Sequence, residues 1–109
     1  MEWVADLRTR LEWSRETPEE NTWHESMAIA EDLGIRLPTR AELVALYDSL
    51  SESSKKNHTE CIWSSTTYDR DPNHAWYFCF ASGRLGGSFK YHFNHTLYIN
   101  TKKQFRLIG

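Results

Sequence analysis

The chain predicts an α+β domain, with two helices packed on a small twisted antiparallel sheet. Three observations predict it. Thr39 follows Pro38 and precedes Glu42 by three places, and Thr22 stands in the same relation to Glu25. Each pair is a capping box, in which a threonine hydroxyl and a glutamate carboxylate satisfy the free amides of a helix start. After Trp63-Ser64-Ser65-Thr66 the apolar period falls from helical spacing to two.

At the N-terminus, Trp3, Val4, Leu7 and Leu11 are spaced for a short helix over Met1–Leu11, and Leu11–Arg15 reads equally as a strand. Residues 16–21 are a polar loop. The first helix spans about 23–33, with Trp23, Met27, Ala30 and Leu33 on its core face, and Gly34 stops it. Pro38 lacks an N–H and cannot sit inside a helix, so the second begins after it and runs over about 40–50. Leu43, Leu46, Tyr47 and Leu50 form its buried side. Ser51 to Glu60 is polar and reads as an exposed loop.

Strands are expected at Cys61–Thr67, His74–Ala81, Ser88–Phe93, Leu97–Asn100 and Gln104–Ile108. In the second, Trp76, Phe78 and Phe80 point one way and Tyr77 and Cys79 the other. Asp69–Asn73, Asn94-His95 and Lys102-Lys103 are turn candidates, and Gly86-Gly87 loosens the chain after Ser82-Gly83.

With 109 residues the chain suits a single domain over residues 1–109. Its five Trp, five Tyr and five Phe supply much buried area from few positions. A net charge of −2 gives no basic stripe for nucleic acid. No apolar run reaches membrane-spanning length. The first ten residues hold Glu2 and Asp6 and no apolar signal core, so bacterial cytoplasm or a virion is the expected location. Cys61 and Cys79 are expected to be reduced and buried, with a disulfide the alternative for a protein that acts outside a cell.

Helix, Arg36-Leu37-Pro38-Thr39 with Glu42-Leu43, Trp63-Ser64-Ser65-Thr66, Ala75-Trp76 with Phe80 and Gly83, then Arg106 follow one another in that order. The chain thereby resembles the small bacterial and phage domains named after the C-terminal domain of the Legionella collagen-like adhesin. Glu12-Trp13 is similar to that family's opening strand, and the likeness extends over about residues 11–108. Ile35 stands where the family usually has Trp, and Leu107 where it often has Cys. The resemblance implies a C-type-lectin-like fold, shared with sulfatase-modifying enzymes and phage tropism-determinant adhesins. A shared fold does not carry a shared function.

Most chemically suggestive groups have a simpler structural reading. Arg36 and Glu42 suit a loop-to-helix junction, Trp63 and Trp76 suit the core, and Ser64, Ser65 and Thr66 suit hydrogen bonds to backbone. His92 and His95 are three apart, which on a strand turns them to opposite faces. Asp69, Asp71 and Asn73 lack the sugar-lectin calcium motifs. No metal and no cofactor is expected.

The recognition surface expected instead comprises Tyr68, Arg70, Asp71, Asn73 and His74 before and at one strand, Arg84 in the glycine loop, and Tyr91, His92, Asn94 and His95 late in the chain. Tyr98 and Asn100 extend it. Tyrosine, arginine, asparagine and histidine suit contact surfaces because they are amphipathic and lose little entropy on binding. The expected function is a non-catalytic binding module for a protein or glycan, in a phage or bacterial factor acting on a host target. An enzyme of the sulfatase-modifying kind and a self-associating phage structural protein are the alternatives. The oligomeric state is left open.

Overall fold

The computed structural model of the chain describes residues 2–56 and 60–101. The order is β1 (Trp3–Asp6), β2 (Leu11–Ser14), α1 (Trp23–Leu33), α2 (Arg40–Ser49), a one-turn α3 (Glu52–Lys55), β3 (Cys61–Thr67), β4 (His74–Cys79) and β5 (Arg84–Phe89). β1 and β2 make an antiparallel hairpin, and β3-β4-β5 make an antiparallel sheet.

Both capping boxes form. Thr22 Oγ1 accepts from Glu25 N–H, and Glu25 accepts from Thr22 N–H. Thr39 and Glu42 repeat this at α2. Gly34 ends α1 in the left-handed region at φ 67°, where a Cβ is disfavoured. α1 covers one face of the sheet, burying Ala30 with Leu37, Trp63, Ala75 and Tyr98. α2 covers the other, where Leu43 and Leu46 pack on Ile62, Phe78 and Phe80. This is an α+β arrangement that fits a small C-type-lectin-like domain.

The segment 96–99 runs buried between the hairpin and the loop before α2. Ile99 exchanges backbone hydrogen bonds with Arg36 at 2.8 and 3.2 Å, and Ser14 N–H donates to Tyr98 O at 2.8 Å. The strand expected at Leu97–Asn100 is therefore extended, but isolated bridges hold it rather than a regular ladder.

Several expectations are corrected. Over residues 2–11 the expected helix does not form: Asp6 Oδ2 accepts from Thr9 N–H and Oγ1, and Arg10 takes φ 59°, closing a hairpin turn. Pairing of Trp3–Asp6 with Leu11–Ser14 overrides a spacing that also suits a helix. Within the expected 51–60 loop, Ser51 caps α3. The strand expected at Ser88–Phe93 lies at Arg84–Phe89 and includes Gly86-Gly87. Tyr77 lies across Gly86 and Tyr68 across Gly87, so aromatic rings occupy the space that side chains would fill. Asn94 and His95 do not turn; they bridge to Asn21 and Ile62. Cys61 and Cys79 face each other across β3 and β4 and form a disulfide. Trp63 is fully buried, whereas Trp76 is only partly so. The expected turn at Lys102-Lys103, the strand at Gln104–Ile108, Arg106 and Leu107 lie outside the described residues.

Candidate functional site

The residues that carry the family resemblance build a junction. Arg36 grips Glu42 with two parallel hydrogen bonds of 2.7 and 2.8 Å. Glu42 Oε1 also accepts from Thr39 N–H at 2.8 Å, so one carboxylate serves both the helix cap and the ion pair. Burial pushes the Glu42 carboxyl up, but the Arg36 hydrogen bonds, the Thr39 amide and the guanidinium charge together leave it below its ordinary value. The Glu42 hydrogen bonds, set against burial, raise Arg36.

From there the motifs join directly. Ser65 N–H donates to Pro38 O at 2.7 Å, and Arg40 N–H donates to Thr66 Oγ1 at 3.2 Å. Ser64 Oγ donates to Trp76 O at 2.7 Å and accepts from Thr66 N–H. Trp63 Nε1 donates to Asn21 O, and Trp23 Nε1 to Ser64 O. Arg40 stacks on the Trp76 ring at 4.8 Å. Every one of these hydroxyls and carboxylates has a structural partner, so the junction is a fold device.

The open site lies on the opposite flank of the sheet. After β5 the chain turns at Lys90–His92, where His92 N–H donates to Phe89 O. It then reaches the outer side of β3, where His95 N–H donates to Cys61 O and His95 O accepts from Trp63 N–H. Between these points lies a solvent-open cleft of about 860 Å³. Cys61, Tyr77 and Ser88, from three adjacent strands, line it. So do Tyr91, His92, Phe93 and Asn94 of the crossing segment and Glu20, while His74, Gly87 and Phe89 complete it. That volume falls within the range of small-ligand pockets.

Aromatic rings dominate this cleft. Phe89 and Tyr91 stack with centroids 5.0 Å apart and planes 23° apart. His74 packs on Phe89 at 3.9 Å, and His92 meets both Phe89 and Tyr91 edge-on. Phe89, Tyr91 and Phe93 are 38%, 63% and 59% exposed. Three aromatics left this open at one cleft lie outside the core and make an apolar patch on the surface.

Four of the ten residues expected at the site line this cleft: His74, Tyr91, His92 and Asn94. Asp71 supports His74 from behind, 3.0 Å from Nδ1 but off the angle for a hydrogen bond. Asn73 lines a smaller neighbouring hollow with His24, Phe89 and Tyr91. Tyr68 lies on the other face of the sheet, edge-on to Trp76. Arg70 is exposed in the 68–74 turn. Arg84 pairs with Cys79 at the far end of β5, about 17 Å along the strand from Phe89.

His95 is no surface residue. Its side chain is 14% exposed, Nδ1 lies 2.6 Å from Thr17 O, and Nε2 lies 3.5 Å from both Glu20 and Glu60. It ties the 17–20 loop to the start of β3. The expected extension is likewise revised: Tyr98 is buried, and burial raises its hydroxyl above the ordinary value. Asn100 Nδ2 donates to Glu12.

Residue type alone missed Phe89, Phe93, Tyr77 and Glu20. The alternation Phe89, Tyr91, Phe93 was the available signal, but a strand in that register would turn both phenylalanines toward the core. Among the described residues, no three histidine, cysteine or acidic side chains converge as a metal site. No helix among them is long and apolar enough to cross a membrane. Comparison with the curated proteins returns no match. The family model described as the Lcl C-terminal domain matches residues 2–100. With the motif junction and the α+β arrangement in place over that same span, the chain belongs to the Lcl C-terminal domain family.

Proposed function

We propose that this domain is a non-catalytic binding module that takes a protein or glycan ligand at the aromatic cleft. The open run Phe89, Tyr91 and Phe93 above Tyr77 carries this reading. Large rings at one cleft, with Tyr77 and Phe89 fixed on strands, give contact area at low entropic cost. The polar groups His74, His92, Asn94 and Glu20 around them supply orientation.

A phage or bacterial factor acting on a host target fits a module of this type. The Cys61–Cys79 disulfide favours work outside a reducing cytoplasm, as on a virion or cell surface. The test is binding of labelled domain to immobilised host envelope proteins and a glycan array. Tyr91→Ala with His92→Ala should abolish the specific signal, and Arg84→Ala, at the far end of β5, should retain it. His95→Ala is unsuitable as a probe because it removes the clamp on Thr17. Equal signals from the cleft variant and the unaltered domain would reject the cleft as the site.

A further inference from the structure

The register of the sheet says more about the ligand. Among the described residues β5 pairs only with β4, so its other side is an open edge. Phe80 N–H donates to Glu60 O beside the Cys61–Cys79 pair. Those cysteines are therefore a non-hydrogen-bonded pair, and the backbone groups of Cys79 face β5. Cys79 O indeed accepts from Gly83 N–H at 2.8 Å. Alternation then directs the groups of Arg84, Gly86 and Ser88 toward β4, and those of Leu85 and Gly87 outward. Lys90 N–H, donating to Asn73 O at 2.9 Å, keeps the same phase.

Leu85 and Gly87 thus turn their N–H and C=O groups away from the sheet. Residues 85–89 (Leu-Gly-Gly-Ser-Phe) contain no proline, lysine or glutamate of the kind that guards an edge. The edge runs into the cleft, since Gly87, Ser88 and Phe89 also line it. Glu20 lines the cleft and no lysine or arginine does.

We propose that β5 and the cleft together receive an extended segment of a partner protein. Its backbone pairs with Leu85 and Gly87. One apolar side chain rests against Tyr77 and Phe93, and a basic side chain nearby faces Glu20. This rests on reading the domain as a binding module and selects protein over glycan. A sugar can stack on the rings, but a neighbouring strand is what complements a row of outward amides and carbonyls.

The test selects displayed random peptides about twelve residues long against the immobilised domain. The best binder is titrated while amide hydrogen exchange is followed residue by residue. Leu85 and Gly87 amides should slow by about tenfold or more at saturation. The same peptide N-methylated at alternate backbone amides should bind at least about tenfold more weakly. Phe93→Ala should weaken the unmodified peptide, and Glu20→Gln should weaken it only when it carries the basic residue.

Failure to select any binder overturns the proposal, as does a binder indifferent to N-methylation or one that leaves both amides unprotected. A neutral oligosaccharide that perturbs Tyr91 and Phe93 without slowing those amides overturns it while leaving the binding-module reading intact. Protection that rises with domain concentration alone assigns the edge to a second copy and also overturns it. If neither peptides, oligosaccharides nor envelope proteins respond to changes in the cleft, the binding reading itself fails.

Discussion

The two flanks of β4 are built to opposite rules. Toward β3, the side chains that carry the family motifs bond one another, and the Leu-Pro-Thr and Trp-Ser-Ser-Thr segments meet through Ser65–Pro38 and Arg40–Thr66 contacts. Toward β5, rings stand in solvent: Tyr91 is 63% exposed, against 0% for Trp63. The difference teaches where to look for function. The residues that make the family recognisable are occupied in holding α2 to the sheet, and those left free to touch a partner carry no motif.

If that division is right, the largest effect comes from the core of the motif flank. Trp63→Ala removes a fully buried indole and its bond to Asn21 O. A loss of roughly 3–5 kcal/mol is expected, enough to unfold much of the population. Urea denaturation measures it. A cost under about 1 kcal/mol would show that the motif flank does not organise the fold.

Second is the disulfide. Its cysteines are 18 residues apart, so replacing both with serine should cost about 3 kcal/mol in the chain-entropy account. Because Cys61 also lines the cleft, the comparison sharpens if the folded remainder still binds. Binding retained at temperatures where the double variant stays folded would confine the disulfide to stability.

How far the sequence announces each flank follows from how local its signals are. Thr22 with Glu25 and Thr39 with Glu42 are three-residue relations, and both form as read. Arg36 and Glu42 are legible as parts of a loop-to-helix junction, but that Glu42, beyond its own cap, is the carboxylate Arg36 grips comes only from the structure. The N-terminal hairpin was not legible, because its turn depends on Arg10 at φ 59°, with no glycine or asparagine there to announce it. β5 was misplaced because a Gly-Gly pair argues against a strand. What sustains it is the lie of Tyr77 and Tyr68 across Gly86 and Gly87, a relation between strands that no local pattern contains. Of the candidate site residues, His74, Tyr91, His92 and Asn94 gather at one cleft, but His95 is a clamp, and residue type gives no signal for Phe89 and Phe93 beside them.

Glu42→Gln probes the junction more gently. It keeps the shape but removes the charge that Arg36 grips, at a cost of about 1–2 kcal/mol after allowance for a partly exposed partner. The pH dependence carries a sign. The native Glu42 carboxyl is depressed, so its contribution is present above the unfolded value and is lost as pH falls through the native one. Stability curves for the two proteins should be offset at neutral pH and converge below about pH 4. An offset that persists in acid would mean that the charge is not what holds the junction.

Gly86→Ala tests the cleft floor. An added Cβ would lie 2.6 Å from the Tyr77 hydroxyl, the far end of a flexible side chain. Tyr77 should swing into the cleft at a stability cost of about 1 kcal/mol, the low end for overpacking, and ligand affinity should fall more than stability does. Nuclear magnetic resonance of the Tyr77 ring would follow the movement.

The smallest stability effect and the sharpest contrast belong to Tyr91→Ala. Tyr91 is 63% exposed and its ring contacts, Phe89 and His92, are themselves exposed, so unfolding free energy should change by no more than about 0.5 kcal/mol. If the ring is a contact anchor, the same change should weaken binding by 2 kcal/mol or more, about thirtyfold. An exposed aromatic gains its free energy when a partner desolvates it, and folding alone leaves that gain uncollected. A Tyr91→Ala domain that is destabilised by several times the expected amount would place the ring within the fold and erase the contrast between the flanks. One that is equally stable and binds equally well would move the site away from the crossing segment altogether.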